Sequence, residues 1–145
     1  MEINKKILEA LPYGPDFCFV DSIENVDDKT ITGTFTYHKN LPFYNSHFKN
    51  NPLVPGVIMV ETMGQIGMVC HLIYLTDDYE FNFMPVLSNI ETEFFNNAEY
   101  GEKMIIKGEK IYFRHNILKS YVEMTKTDGS IVARLTANIK IIEAK

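Results

Sequence analysis

An imidazole, a helix-opening glycine and a carboxylate stand close together in this sequence as His47, Gly56 and Glu61. A loop histidine can take or give a proton near neutral pH. Pro55-Gly56 opens an apolar stretch with only Val54 at the cap position, so the N–H groups of the first turn, at Gly56 and Val57, are free to bind an anion or an oxyanion. Glycine there lets a ligand approach the backbone closely. Glu61 lies one turn further on among apolar neighbours, and Gln65, four residues beyond, shares its face, with Gly64 between them opening that face to something bulky. A lone loop histidine is often merely structural, and Pro-Gly is often only a helix boundary. A carboxylate in an apolar helix is harder to dismiss, because unpaired it costs several kcal/mol unless it is protonated, paired or used. Together the three point to acid–base work at an anionic centre without specifying a reaction.

Elements must hold these groups in place. Ile3 to Ala10 has the spacing of a short amphipathic helix, stopped at Leu11-Pro12. Phe17 to Val26 and Thr30 to His38 read as two strands joined at Asp27-Asp28-Lys29. The second alternates cleanly, with Ile31, Gly33, Phe35 and Tyr37 against Thr30, Thr32, Thr34 and Thr36. Asn40 to Pro55 carries Pro42, Pro52 and Pro55 with Asn40, Asn45, Asn50 and Asn51, and reads as a long loop. Loops beyond about 12–15 residues in a compact domain are usually functional. Pro55 suits a first helical position, and Val57 to Leu75 continues unbroken as a helix about 28 Å long. It is apolar on nearly every face, which predicts burial nearly all round. Phe83 to Phe95, Lys103 to Arg114, Leu118 to Lys126 and Ile131 to Ile142 are four further strands, with turns at His115-Asn116 and Asp128-Gly129. This inventory predicts an α+β domain over residues 1–145: an antiparallel sheet of about six strands curled around one long buried helix.

Composition narrows the function. With 14 Lys and Arg against 19 Asp and Glu, the formal net charge of −5 argues against a nucleic-acid binder. Cys18 and Cys70 cannot form a disulfide framework, Met1 to Lys6 lacks the apolar core of a signal peptide, and the longest apolar stretch contains Glu61, Gln65 and His71. A cytoplasmic chain with no membrane insertion is expected. His38, His71 and His115 have no metal-ligand spacing, and neither a nucleophile elbow nor a phosphate loop is present, so no metal or other cofactor is expected. His71 is assigned to packing.

The segment from Pro42 to Gln65 resembles the 3-hydroxyacyl-acyl-carrier-protein dehydratases of the FabZ/FabA type, which have the hotdog fold. Their pattern runs approximately P-F-x-x-x-H-F-x-x-x-P-x-x-P-G-V-x-x-x-E-x-x-x-Q, and Pro42, Phe43, His47, Phe48, Pro52, Pro55, Gly56, Val57, Glu61 and Gln65 match it. Leu11-Pro12, Phe17, Val20 and Asp21 resemble the family's first-strand approach. Glutamate at Glu61, where the FabA branch has aspartate, places the chain nearer FabZ. The resemblance implies His47 as the base that removes the proton alpha to the thioester carbonyl and Glu61 as the acid that protonates the leaving hydroxyl. It gives Gly56, Val57 and Gln65 to oxyanion and substrate binding. It further implies a homodimer or trimer of dimers with active sites at the dimer interface, an acyl carrier protein bringing the substrate, and an acyl tunnel for which Phe43, Tyr44, Phe81, Phe83 and Met84 are candidate lining.

The chain departs from the family in three places. Tyr13-Gly14 follows Leu11-Pro12 where the family often has His-Arg; Lys49 follows His47-Phe48 where it has proline; and Phe94-Phe95-Asn96-Asn97-Ala98-Glu99 lacks the usual cations. Lys103, Lys107, Lys110 and Arg114 are then the candidates for docking an acidic carrier. Two other functions remain open: a hotdog acyl thioesterase in which Glu61 activates water, and a non-catalytic acyl-binding or scaffold subunit.

Overall fold

In a computed structural model, which describes residues 2–48 and 52–143, helix α1 (Glu2–Ala10) leads into β1 (Ser22–Val26) and β2 (Thr30–Thr36). A long helix, α2 (Gly56–Thr76), follows, and then β3 (Phe83–Phe94), β4 (Lys103–Arg114), β5 (Ile117–Lys126) and β6 (Ile131–Glu143). The strands form one antiparallel sheet in the order β1-β2-β4-β5-β6-β3. The α+β hotdog expectation holds. The Lys49–Asn51 part of the expected loop lies outside the described residues.

A two-residue turn joins β4 to β5 and a four-residue connection joins β5 to β6, each as its sequence requires. His115 and Asn116 both take positive φ (52° and 60°), the conformation whose twist matches a right-handed hairpin. Gly129 (φ 90°) follows Asp128, whose Oδ1 accepts from the Ser130 N–H at 2.9 Å. The first strand begins later than its apolar sequence suggests: Pro15–Phe17 is a turn of 3-10 helix, and pairing starts only at Ser22. The reason is tertiary, because this segment is pinned to α2 instead of to a neighbouring strand.

α2 packs against the sheet at a distance that only glycines permit. A Cβ at Gly67 would lie 2.7 Å from both γ-carbons of Val122, one at Gly108 2.8 Å from Gly67 Cα, and one at Gly33 2.8 Å from Ile66 Cγ2. Met63, Ile66, Met68, Leu72 and Ile73 are thereby buried against Ile31, Met104, Ile106, Leu118 and Val122. Mid-helix, Gln65–Val69 widens to π geometry, a local bulge that often marks functional sites. The expectation that α2 is buried nearly all round is corrected in one strip. Val57 is 77% exposed, and Val60, Glu61 and Gly64 are only half-buried. Two thirds of its apolar length is enclosed, so α2 is the core of the sheet although it is long and apolar enough to cross a membrane.

Candidate active site

Gln65 organises the open strip of α2. Its side chain is fully buried; Oε1 accepts the Phe19 N–H at 2.8 Å, and Nε2 donates to the Phe17 carbonyl at 2.9 Å and to Glu61 Oε2 at 3.0 Å. Both amide hydrogens are thus committed to protein acceptors. The i, i+4 spacing puts the two side chains on one face, and the crossing strap from Phe17 to Phe19 fixes which way the amide points. Gln65 therefore aims the Glu61 carboxylate and anchors the strap; it has no hydrogen left to offer a substrate.

Glu61 is half-buried, less enclosed than its apolar sequence neighbours suggest, because it opens onto two clefts. One, about 160 Å³, runs between α2 and the sheet and is lined by Val60, Met68, Leu87, Leu135 and Ile139. The other, about 530 Å³, is lined by Pro12, Phe81, Phe83, Met84 and Pro85. Tyr13, Glu61 and Pro85 are shared by both. Burial, and next the Glu61 charge, push the Tyr13 phenol far above its usual range, so it is a neutral donor at any physiological pH.

At the start of α2, Pro55 supplies an extended cap without a side-chain hydrogen bond, and its carbonyl takes the N–H groups of Ile58 (3.0 Å) and Met59 (3.1 Å). The Gly56 and Val57 N–H groups have no acceptor among the described residues. With the helix dipole behind them they form a site for developing negative charge. A Cβ at Gly56 would lie 3.3 Å from the Phe94 ring, so this helix start sits against the β3 edge, in an apolar cleft of about 410 Å³ lined by Val57, Val60, Ile90 and Phe94.

His47 ends a tight turn in which its own N–H and that of Ser46 reach the Phe43 carbonyl. Its Nδ1 lies 3.1 Å from the Leu53 carbonyl, which can only accept, so Nδ1 carries the proton and Nε2 keeps the lone pair of a base. The ring packs on Phe48, whose φ of 63° turns the chain away. His47 borders neither of the clefts that Glu61 borders.

The structure divides the expected tunnel lining. Phe81, Phe83 and Met84 join Glu61, with the Phe81 and Phe83 rings 4.4 Å apart. Phe43 and Tyr44 lie elsewhere, against Tyr100, Tyr44 edge-on at 4.7 Å. Of the cations considered for docking, Lys110 pairs with Asp28 at 3.1 Å and Arg114 lies over the Tyr112 ring, while Lys103 and Lys107 stay exposed on β4. His71 is packing, its Nε2 donating to the Asp27 carbonyl at 2.9 Å. Burial pushes both thiols up, so neither cysteine is a ready thiolate. Tyr13 is the residue that local reading left without a role, and its only signal was the substitution after Leu11-Pro12.

Known proteins resemble this chain over most of its length. The family model of a FabA-like domain matches residues 11–136. A 3-hydroxyacyl-[acyl-carrier-protein] dehydratase FabZ of Caldicellulosiruptor bescii is 33% identical over 129 residues, covering 88% of this chain and 89% of that protein. Among solved structures, the dehydratase heterocomplex ApeI:P from Xenorhabdus doucetiae superposes with a TM-score of 0.77 at 13% identity, covering 96% and 91% of the two chains. A hypothetical thioesterase from Streptococcus pneumoniae reaches 0.64 at 17% identity, covering 84% and 89%. At such identities the two structures show the shared fold alone.

Proposed function

The chain belongs to the FabA-like family, and we propose that it dehydrates a 3-hydroxyacyl thioester, carried on an acyl carrier protein, to the trans-2-enoyl thioester. The observation that carries this reading is the carboxylate of Glu61, held by Gln65 at the mouth of apolar clefts one helical turn beyond two N–H groups that have no acceptor among the described residues. An alpha proton of a thioester is too weakly acidic for imidazole unless the enolate is stabilised, and the Gly56 and Val57 N–H groups are placed to receive that charge. His47 Nε2 takes the proton; Glu61 delivers one to the departing hydroxyl, which leaves as water. Each such group contributes about 10²–10⁴-fold. A carbonyl acceptor on Nδ1 suits His47 to the task, since it also steadies the imidazolium that forms.

Within one chain His47 and Glu61 border different spaces, and a second copy supplies the missing partner. β3 ends the sheet with an unpaired edge on which Met84, Val86, Leu87, Ile90 and Phe94 are exposed. A long apolar edge of this kind pairs with another strand. Pairing of β3 with its symmetry mate in a homodimer covers these residues, closes the clefts into a dry slot, and brings the partner subunit's His47 to Glu61. Trimers of such dimers remain compatible with it, and the same reading puts the reaction in the cytoplasm.

Incubation with 3-hydroxyacyl carrier proteins of several chain lengths tests the reading by mass. Loss of one water, abolished by His47→Ala, is the expected result. Release of free thiol without enoyl product would assign the hotdog thioesterase reaction instead, and equal inactivity of wild type and variant would leave an acyl-binding scaffold.

A further inference from the structure

Tyr13 is the one polar side chain other than Glu61 that lines both clefts meeting at the carboxylate. Its position is built. The ring packs on Phe17 (centroids 6.5 Å apart), and the Phe17 carbonyl accepts from the same Gln65 Nε2 that holds Glu61. A single amide therefore sets both the carboxylate and the strap that carries the phenol. No hydrogen bond from the Tyr13 hydroxyl is made among the described residues. A half-buried phenol that is neutral, unpartnered and open to the space of an acid has one use left, which is to donate to whatever fills that space.

We propose that Tyr13 is a third catalytic residue, donating a hydrogen bond to the 3-hydroxyl oxygen of the substrate as Glu61 protonates it. This inference rests on the dehydratase reading and deepens it. In the step, the Cα–H bond breaks towards His47, the Cα=Cβ bond forms, and the Cβ–O bond breaks as the Glu61 proton completes water. Tyr13 keeps its own proton throughout and only stabilises the charge that gathers on the departing oxygen. Because that charge exists in the transition state and hardly in the ground state, the bond acts on kcat more than on KM.

The test is Tyr13→Phe, which keeps the ring packed on Phe17 and removes the donor. The expected result is a fall in kcat of about tenfold, the rate equivalent of one neutral hydrogen bond, with KM nearly unchanged. The pH dependence of kcat should keep its shape, since a residue that never ionises contributes no limb to it. Tyr13→His, which restores a shorter donor, should recover part of the loss and serves as the readout if the phenylalanine variant folds poorly. Wild-type kcat in Tyr13→Phe, a loss confined to KM, or no advantage of histidine over phenylalanine would each overturn the proposal while leaving the dehydratase reading standing. Absence of dehydration by the wild-type enzyme would overturn both.

Discussion

The Gln65 amide donates to Glu61 Oε2 at 3.0 Å and with the same nitrogen holds the Phe17 carbonyl at 2.9 Å, so the acid of the site and the strap beside it share one clamp. The clamp is fully buried, and its oxygen satisfies a third group, the Phe19 N–H. Local geometry alone would make Gln65 a helix-face neighbour of Glu61. The long-range bonds make it the point where the N-terminal third of the chain is fastened to the catalytic helix.

Replacing that amide should therefore affect stability and activity together. Gln65→Leu keeps the volume but leaves the buried Phe19 N–H an orphan, at about 1–3 kcal/mol, and the part-buried Phe17 carbonyl without its protein donor, at a smaller cost. A loss of about 2–4 kcal/mol in chemical denaturation is expected, with reduced dehydration at temperatures where the variant is folded. Full activity in folded Gln65→Leu would show that Glu61 needs no clamp.

Subunit mixing reads the assembly of the active site. His47→Ala and Glu61→Gln are each expected to lower dehydration by about 10²–10⁴-fold with the fold intact. Co-refolded in equal amounts, they form heterodimers in which one of two sites has both wild-type groups. Activity should return to roughly a quarter of wild type if the pair spans a two-fold interface. No recovery would place both groups in one chain.

The β3 edge offers an independent check. Val86 is 42% exposed and lines neither Glu61 cleft. Val86→Lys places a charge on the apolar edge, as proteins do when they block strand pairing. Sedimentation should show a shift towards monomer, with loss of activity that high protein concentration restores. An unchanged dimer would move the interface away from β3.

His71 sets part of the acid stability. Nε2–H bonds the Asp27 carbonyl and Nδ1 is buried with no partner among the described residues, and burial holds the pKa below its ordinary 6.5. The hydrogen bond to the Asp27 carbonyl pulls the other way, Lys110 adds to the lowering, and the Asp27 and Asp28 charges oppose it more weakly. The unfolded chain then binds a proton that the native one refuses, and stability falls as pH drops below about 6.5, levelling off at the native pKa. Melting temperatures measured between pH 7 and about 4.5 should decline less steeply in His71→Gln. Equal slopes would remove His71 from the account.

What the sequence determined by itself is what depends on near neighbours. β4 runs from Lys103 to Arg114 as its pattern predicts, the His115-Asn116 and Asp128-Gly129 turns form where their residue types demand, and His47, Gly56, Glu61 and Gln65 carry the spacing of the family. Backbone propensity and helical periodicity act over a few residues, so they can be read off in order. Tertiary structure decided which groups those elements bring together. Phe17 and Tyr13 left the expected strand and its approach to reach Gln65 and Glu61, Phe43 and Tyr44 went to Tyr100, and three glycines let α2 come close enough to the sheet to leave a single strip open. Such pairings depend on where distant segments cross and on which buried polar groups must find partners there, and neither is encoded in local spacing.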